Sequence, residues 1–232
     1  MKKVSNKQMS ESLKIGVILA ITGGFLDAYT FLSRGKVFAN AQTGNIVLLG
    51  TNLFQGEYKK ALTYLIPVSS FIVGVFISEF IKLKFKNNEK IHWRQIIVFI
   101  EIFLLILVAF MPENLNNLAN IIVSFICAMQ VESFRKINGI SCATTMCTGN
   151  LRSGTELLFK YIKTKEPDLK EKCINYYGID LLFILGAGLG ALFTNTFKEK
   201  AVLFCCVTLF IGFIVMFIKE DILIFKNKET EK

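Results

Sequence analysis

The feature that most constrains this chain is a series of apolar runs that are too long and too free of charge for a soluble core. Residues 201–218 contain no charged side chain, and residues 61–81 contain only Glu79. About 20 residues in a helix, rising about 1.5 Å per residue, cross the hydrocarbon core of a bilayer. Because a backbone in lipid must satisfy its own hydrogen bonds, these runs are predicted to be transmembrane helices.

Six such helices are predicted, and the whole chain, residues 1–232, is interpreted as a single all-α integral membrane domain. Two further segments, 37–56 and 141–162, begin with small and polar residues and continue as a helical stretch too short to span. Both are predicted to be re-entrant or broken helices that start at Thr-Gly-Asn. The six spans are placed at residues 13–33, 61–82, 95–111, 117–135, 174–197 and 201–219.

The basic residues predict the orientation of the chain. The net charge is +9, but Lys and Arg lie at the ends of the apolar runs and not in one patch, so nucleic acid is not an expected partner. With the N-terminus inside, 21 Lys and Arg fall on the inner side and 6 on the outer side. Since cytoplasmic loops carry an excess of these residues, both termini are predicted to be cytoplasmic.

The chain also repeats itself at an offset of 105 residues. The Thr-Gly-Asn of residues 43–45 recurs at residues 148–150, and at the same offset Asp27 is matched by Glu132. The predicted repeats are residues 13–111 and 117–219. Each contains three spans, an odd number, so the second copy enters the membrane from the opposite side. Two inverted repeats of this kind recur among secondary transporters.

Each Thr-Gly-Asn is a candidate binding element. Thr can cap the first turn of a helix, Gly allows close approach of the backbone, and Asn supplies both a donor and an acceptor. The N-terminal end of a helix attracts an anion or a carboxylate. The functional interpretation is a pair of half-helix tips around one central site. The alternative is a pair of ordinary helix caps at the surface.

Asp27 and Glu132 lie within predicted spans, where a charge costs at least about 2.5–3.5 kcal/mol. They are expected to bind a cation, to carry a proton or to hold the half-helix tips; the alternative is a purely structural contact with a helix cap. Glu101 and Asp180 are further candidates for ion or substrate contacts. The candidate binding residues are Asp27, Asn40, Gln42, Thr43, Gly44, Asn45, Gln130, Glu132, Thr145, Thr148, Gly149 and Asn150.

Other chemistry is not expected from this composition. One histidine and six cysteines, without a Cys-x-x-Cys pair, predict neither a metal site nor a disulfide framework. No nucleophile or cofactor motif indicates an enzyme. The Gly-Ala-Gly-Leu-Gly of residues 186–190 lies inside an apolar run with no strand before it, so we interpret it as a helix-packing motif and not as a nucleotide loop.

The stretch Gly-Phe-Leu-Asp-Ala at residues 24–28, followed by Phe38 and the Thr-Gly-Asn at 43–45, resembles the YoaK family of bacterial membrane proteins. The second half resembles the family too, although Val131 stands where its members often carry Asn. The resemblance covers nearly the whole chain. It implies a multi-pass protein of the bacterial inner membrane and a permease for a small molecule.

The expected function is therefore secondary transport of a small molecule. Arg152 and the two helix tips favour an anionic or zwitterionic substrate, and Asp27 or Glu132 could couple transport to protons. A passive channel and a scaffold or accessory subunit without transport are the alternatives. The expected partners are the lipid bilayer and a small-molecule or ion substrate, and the small-residue helix faces would permit a homodimer.

Overall fold

The computed structural model describes residues 9–86 and 92–217. Eight α-helices dominate it: α1 (Leu13–Ser33), α2 (Gln42–Phe54), α3 (Tyr58–Phe85), α4 (Trp93–Ala109), α5 (Asn116–Ser133), α6 (Cys147–Thr164), α7 (Pro167–Phe197) and α8 (Leu203–Val215). A two-stranded antiparallel hairpin, β1 (Lys136–Ile137) and β2 (Ile140–Ser141), joins α5 to the segment before α6. Short 3-10 turns cover Met9–Glu11, Glu113–Leu115 and Lys198–Val202.

The helices follow the apolar pattern of the sequence closely. α1 has the predicted bounds, and α2 and α6 each begin at the residue before Thr-Gly-Asn. The largest difference is at α7, which begins at Pro167 and not near residue 174. Its first two turns are polar, so they carry no hydropathy signal, and proline is well suited to the first position of a helix. The predicted end of the last span, residues 218–219, lies outside the described residues.

Within the described residues, three helical segments are both long enough and apolar enough to cross a membrane: Leu13–Ser33, Tyr58–Phe85 and Glu113–Ser133. α4 and α8 are shorter, at 17 and 13 residues. Large apolar side chains project outward from the longest helices, such as Phe76 and Leu83 on α3 and Leu192 on α7. An outward apolar surface of this kind suits contact with lipid.

The helices pack in a paired arrangement. α1 lies along α7, and α3 lies along α5. α2 packs on α3, and α6 packs on α7. α4 and α8 pack on each other, while α4 also contacts α5 and α8 also contacts α1. If α1, α2, α3 and α4 are exchanged in order with α5, α6, α7 and α8, the same set of helix pairs results. The main apolar core lies among α1, α4, α5 and α8.

Glycines allow the two long helix pairs to approach closely. A Cβ atom at Gly24 would collide with the backbone oxygen of Phe183, and one at Gly186 would collide with that of Ile21. In the other pair, a Cβ at Gly74 would collide with the oxygen of Phe125. The helix-packing interpretation of residues 186–190 is thus confirmed.

Arg34 connects the ends of three helices through hydrogen bonds. Its side chain is fully buried, with Nε donating to the Tyr29 hydroxyl at 2.8 Å. Nη2 donates to the backbone oxygen of Val108 at 2.9 Å. Nη1 donates to the backbone oxygen of Met111 and to Oδ1 of Asn116. In the sequence Arg34 looks like a basic residue at the end of a span, whereas in the structure it links α1, α4 and α5.

Candidate functional site

A cavity of about 660 Å³ lies where the two short helices begin. Its wall is built from the second half of α1, the first residues of α2 and α6, the segments that precede them, and parts of α3, α5 and α7. Phe31, Phe38, Phe71 and Phe183 supply four aromatic rings. A volume of this size is typical of small-molecule sites, which range over about 300–1,000 Å³.

Half of the candidate binding residues from the sequence meet in this wall, and the others do not. The candidates that line the cavity are Asp27, Asn40, Gln42, Thr43, Thr145 and Thr148. The candidates outside its lining are Gly44, Asn45, Gln130, Glu132, Gly149 and Asn150. The two threonines come from the first turns of α2 and α6, so the structure brings both helix tips to one space.

At the α2 tip, Asp27 binds the backbone that enters the helix. Oδ1 of Asp27 accepts a hydrogen bond from the backbone N–H of Asn40 at 2.7 Å. The Asn40 side chain donates in turn to the backbone oxygen of Gly23 at 3.1 Å. Asp27 therefore holds the tip, as one interpretation of the sequence expected, while it also forms part of the cavity wall.

The two asparagines of Thr-Gly-Asn face the protein interior and make the same contact. Nδ2 of Asn45 donates to the backbone oxygen of Phe38 at 2.8 Å, and Nδ2 of Asn150 donates to that of Ala143 at 2.7 Å. Each bond reaches back seven residues and fixes the non-helical segment before the helix. Their role in the structure is to hold the tips in place.

Asp180 provides the carboxylate at the α6 tip. Its Oδ1 accepts from Nδ2 of Asn150 at 2.9 Å, across from α7. Glu132 does not reach the tip. Instead it pairs with Arg135 at 3.1 Å, near the end of α5. Asp27 and Glu132 are matched in the sequence repeat, but they make different contacts in the structure. For Asp180, the only indication in the sequence was its charge inside a predicted span.

Glu101 and Gln130 form a separate buried pair between α4 and α5. Nε2 of Gln130 donates to Oε1 of Glu101 at 2.9 Å, and both side chains are about 1% exposed. Within the described residues, Oε2 of Glu101 and Oε1 of Gln130 have no hydrogen-bond partner. Neither residue belongs to the cavity lining.

The charge of the cavity wall is set by one residue. Among the described residues, Asp27 is the only carboxylate in the lining, and no described lysine or arginine lines the cavity. Arg152, which the sequence placed near the second tip, is exposed on α6 and is not part of the wall. In the described portion of the chain, no group of three or more His, Cys, Asp or Glu residues is arranged to hold a metal ion.

Sequence reasoning missed the aromatic wall and Cys147. Twenty-two phenylalanines are spread along the chain, and although Phe38 belongs to the motif that resembles the YoaK family, nothing in the sequence indicated that these four rings meet. Cys147 begins α6 and lines the cavity, and it is half-buried, whereas the other five cysteines are buried. It is therefore a natural chemical probe of this site.

Removing the Asn150 side chain tests how firmly the α6 tip is held. Asn150→Ala would leave the Ala143 carbonyl and Asp180 Oδ1 without their donor, and each buried polar group left unpaired costs about 1–3 kcal/mol. We expect a clear fall in thermal stability of the purified protein in detergent. Asn195→Ala, at an exposed position on α7, is the control and should leave the melting temperature unchanged. Equal melting temperatures for both variants would contradict this role of Asn150.

Apolar helices long enough to span a membrane, outward apolar faces and a cavity at the starts of two short helices define an all-α membrane protein. The chain belongs to the family described as "Protein of unknown function (DUF1275)", which matches residues 15–215. It is also similar to the UPF0700 transmembrane protein YoaK of Bacillus subtilis (strain 168), with 28% identity over 187 residues. That match covers 75% of this chain and 80% of the relative. No solved structure matches the chain.

Proposed function

We propose that this protein is a permease that moves a small molecule across the bacterial inner membrane as a secondary transporter. The observation that carries the proposal is that the first residues of both half-helices, α2 and α6, border the same cavity. Discontinuous helices whose N-terminal ends meet near the middle of the membrane are the usual substrate site of such transporters. Non-helical backbone at that depth is tolerated where it lines a cavity.

Six spans in two inverted repeats are the proposed frame, with α1 to α4 as the first copy and α5 to α8 as the second. The exchange symmetry of the helix pairings supports this assignment. So do the equal backbone contacts of Asn45 and Asn150, and the matching positions of Gly74 and Gly186 at the two helix crossings. With both termini cytoplasmic, α2 enters from the outer side and α6 from the inner side.

The composition of the cavity favours transport over the alternatives. A scaffold has no need of a large cavity into which polar side chains project between apolar helices. A passive channel needs a continuous polar path, whereas four phenylalanines form much of this wall. Binding and release of one solute at a time, with the two repeats moving against each other, agrees better with a partly aromatic site.

Labelling of the native Cys147 tests the proposal. A membrane-impermeant maleimide is applied to intact cells and, separately, to inverted vesicles, and the modified residue is identified by mass spectrometry of the purified protein. Because Cys147 lines a cavity that must open to water during transport, we expect labelling from at least one side. Cys147→Ser should remove that label. If Cys147 stays unlabelled from both sides in folded protein, the tips are packed caps and the scaffold alternative is favoured.

A further inference from the structure

We infer that the cavity binds an organic ammonium ion with an apolar body. This inference rests on the proposed function and names the substrate class of that same site. Three independent features of the wall point to it: its charge, its unpaired acceptors and its aromatic rings.

The charge of the site favours a cation. Each helix tip contributes about half a positive charge. Asp27, however, accepts from the backbone that enters α2, and Asp180 is held to the α6 tip through Asn150. Asp27 places a full negative charge in the lining, and Asp180 adds a second one just outside it, whereas none of the described lysine or arginine residues lines the cavity. Lys36 is nearby, but its Nζ lies over the Phe31 ring at 4.8 Å from the centroid and is not part of the wall.

The unpaired acceptors favour a ligand with N–H groups. Asn40 and Thr145 both line the cavity and are more than nine-tenths buried. Within the described residues, Oδ1 of Asn40 and Oγ1 of Thr145 have no hydrogen-bond partner. A buried acceptor without a donor costs free energy that a bound donor recovers. Both oxygens lie beneath the cavity surface, so a rotation of the Asn40 or Thr145 side chain would present them, together with Asp27, to the several N–H donors of a primary or secondary ammonium group.

The rings favour an apolar body. Phe31 and Phe38 stack with their centroids 4.8 Å apart, and Phe71 and Phe183 belong to the same wall on α3 and α7. Ring faces attract cations within about 6 Å and also cover apolar groups. A bare metal ion fits less well. Calcium, for example, takes about six to eight oxygen ligands at close range, and this wide and mostly apolar wall does not offer them.

Three probes of nearly equal shape separate the possibilities: 3-phenylpropylammonium, the neutral 3-phenylpropan-1-ol and the anionic 3-phenylpropionate. Binding to the purified protein is measured by calorimetry and by protection of Cys147 from maleimide. We expect the ammonium to bind and to slow the labelling of Cys147, the alcohol to bind at least about tenfold more weakly, and the carboxylate not to bind.

Variants then locate the charge. Asp27→Asn keeps an oxygen for the Asn40 N–H but removes the negative charge, and it should weaken ammonium binding about tenfold or more. Glu156→Gln, at an exposed carboxylate on α6, should bind like the wild type. The probe comparison uses the wild-type protein, so it remains decisive even if Asp27→Asn fails to fold.

Preferential binding of the carboxylate, or no binding of the ammonium, would overturn the inference about the substrate class. Ammonium binding that leaves Cys147 labelling unchanged would overturn it too, because the ligand would then lie elsewhere. Failure of the proposed function has a different signature, which is that Cys147 cannot be labelled from either side of the membrane in the absence of any ligand.

Discussion

Gly186→Leu is expected to abolish the folded protein, whereas Gly188→Leu, two residues further along the same helix, is expected to be tolerated. At Gly186 a Cβ atom alone would collide with the backbone of Ile21, so α1 and α7 would have to separate. At Gly188 no described atom beyond the neighbouring helix backbone lies within 4 Å of the added Cβ, and the position is exposed on the outer surface. Leucine there adds apolar area that suits lipid.

Expression followed by size-exclusion chromatography in detergent measures this difference. Gly188→Leu should give a monodisperse peak with the yield of the wild type, and Gly186→Leu should give little protein or only aggregate. Because both variants introduce the same side chain into the same apolar helix, a general effect on membrane insertion would affect them equally. A stable, monodisperse Gly186→Leu protein would mean that α1 and α7 do not touch at this point.

Arg34→Gln is expected to destabilise the protein by about 3 kcal/mol, since the buried oxygens of Tyr29, Val108 and Met111 would compete for the donors of one amide. A loss of this size lowers the melting temperature by roughly 10 °C in a protein of this length. The bonds of Arg34 link α1 to the end of α4 and the start of α5, so no single helix can compensate.

Lys36→Gln is the matched control for Arg34→Gln. Lys36 lies two residues away, is exposed, and contributes its charge mainly near the Phe31 ring. Exposed substitutions of this kind usually change stability by less than about 0.5 kcal/mol. The two melting temperatures are compared by differential scanning fluorimetry in the same detergent. If both variants melt together, Arg34 is an ordinary basic flank, as its place in the sequence suggested.

The helices could be predicted from the sequence because lipid imposes a strict rule on the backbone. Charge-free runs must be helical, and the polar entry at each Thr-Gly-Asn marks where α2 and α6 begin. The role of Arg34 could not be predicted in the same way. A basic residue just after a span usually extends its charged group to the membrane surface. Only the tertiary packing directs the Arg34 side chain inward, to the backbone oxygens of Val108 and Met111.

The candidate site was predictable only in part for the first turns of α2 and α6 and for the segments before them. Thr43 and Thr148 occupy that turn and line the cavity. Asn45 and Asn150 lie two residues further and turn toward the preceding backbone, a direction that depends on the path of the chain. The contact of Asp180 with α6 depends on how α6 packs against α7, and a repeat read from the sequence carries no such information.

The charge of the substrate is another property that the sequence alone could not predict. From the sequence, two helix tips and Arg152 favoured an anion or a zwitterion. In the folded chain a carboxylate is already close to each tip, and Arg152 lies outside the cavity. The balance of charge in the wall therefore depends on which side chains the packing brings together, and it favours the cation proposed above.

Cross-linking of the two half-helix tips tests the shared cavity most directly. Thr43→Cys is combined with the native Cys147 and treated with a bis-maleimide whose spacer is about 10 Å, the width of a cavity of this volume. The linked peptides, from opposite halves of the chain, are identified by mass spectrometry. Thr51→Cys, exposed and further along α2, provides the control position.

A linked pair is expected with Thr43→Cys and not with Thr51→Cys. That result would place the two half-helix tips at one cavity, as the proposed transport site requires. If residues 43 and 147 each react with a simple maleimide but never become linked to each other, the tips do not share a cavity, and the central claim is contradicted.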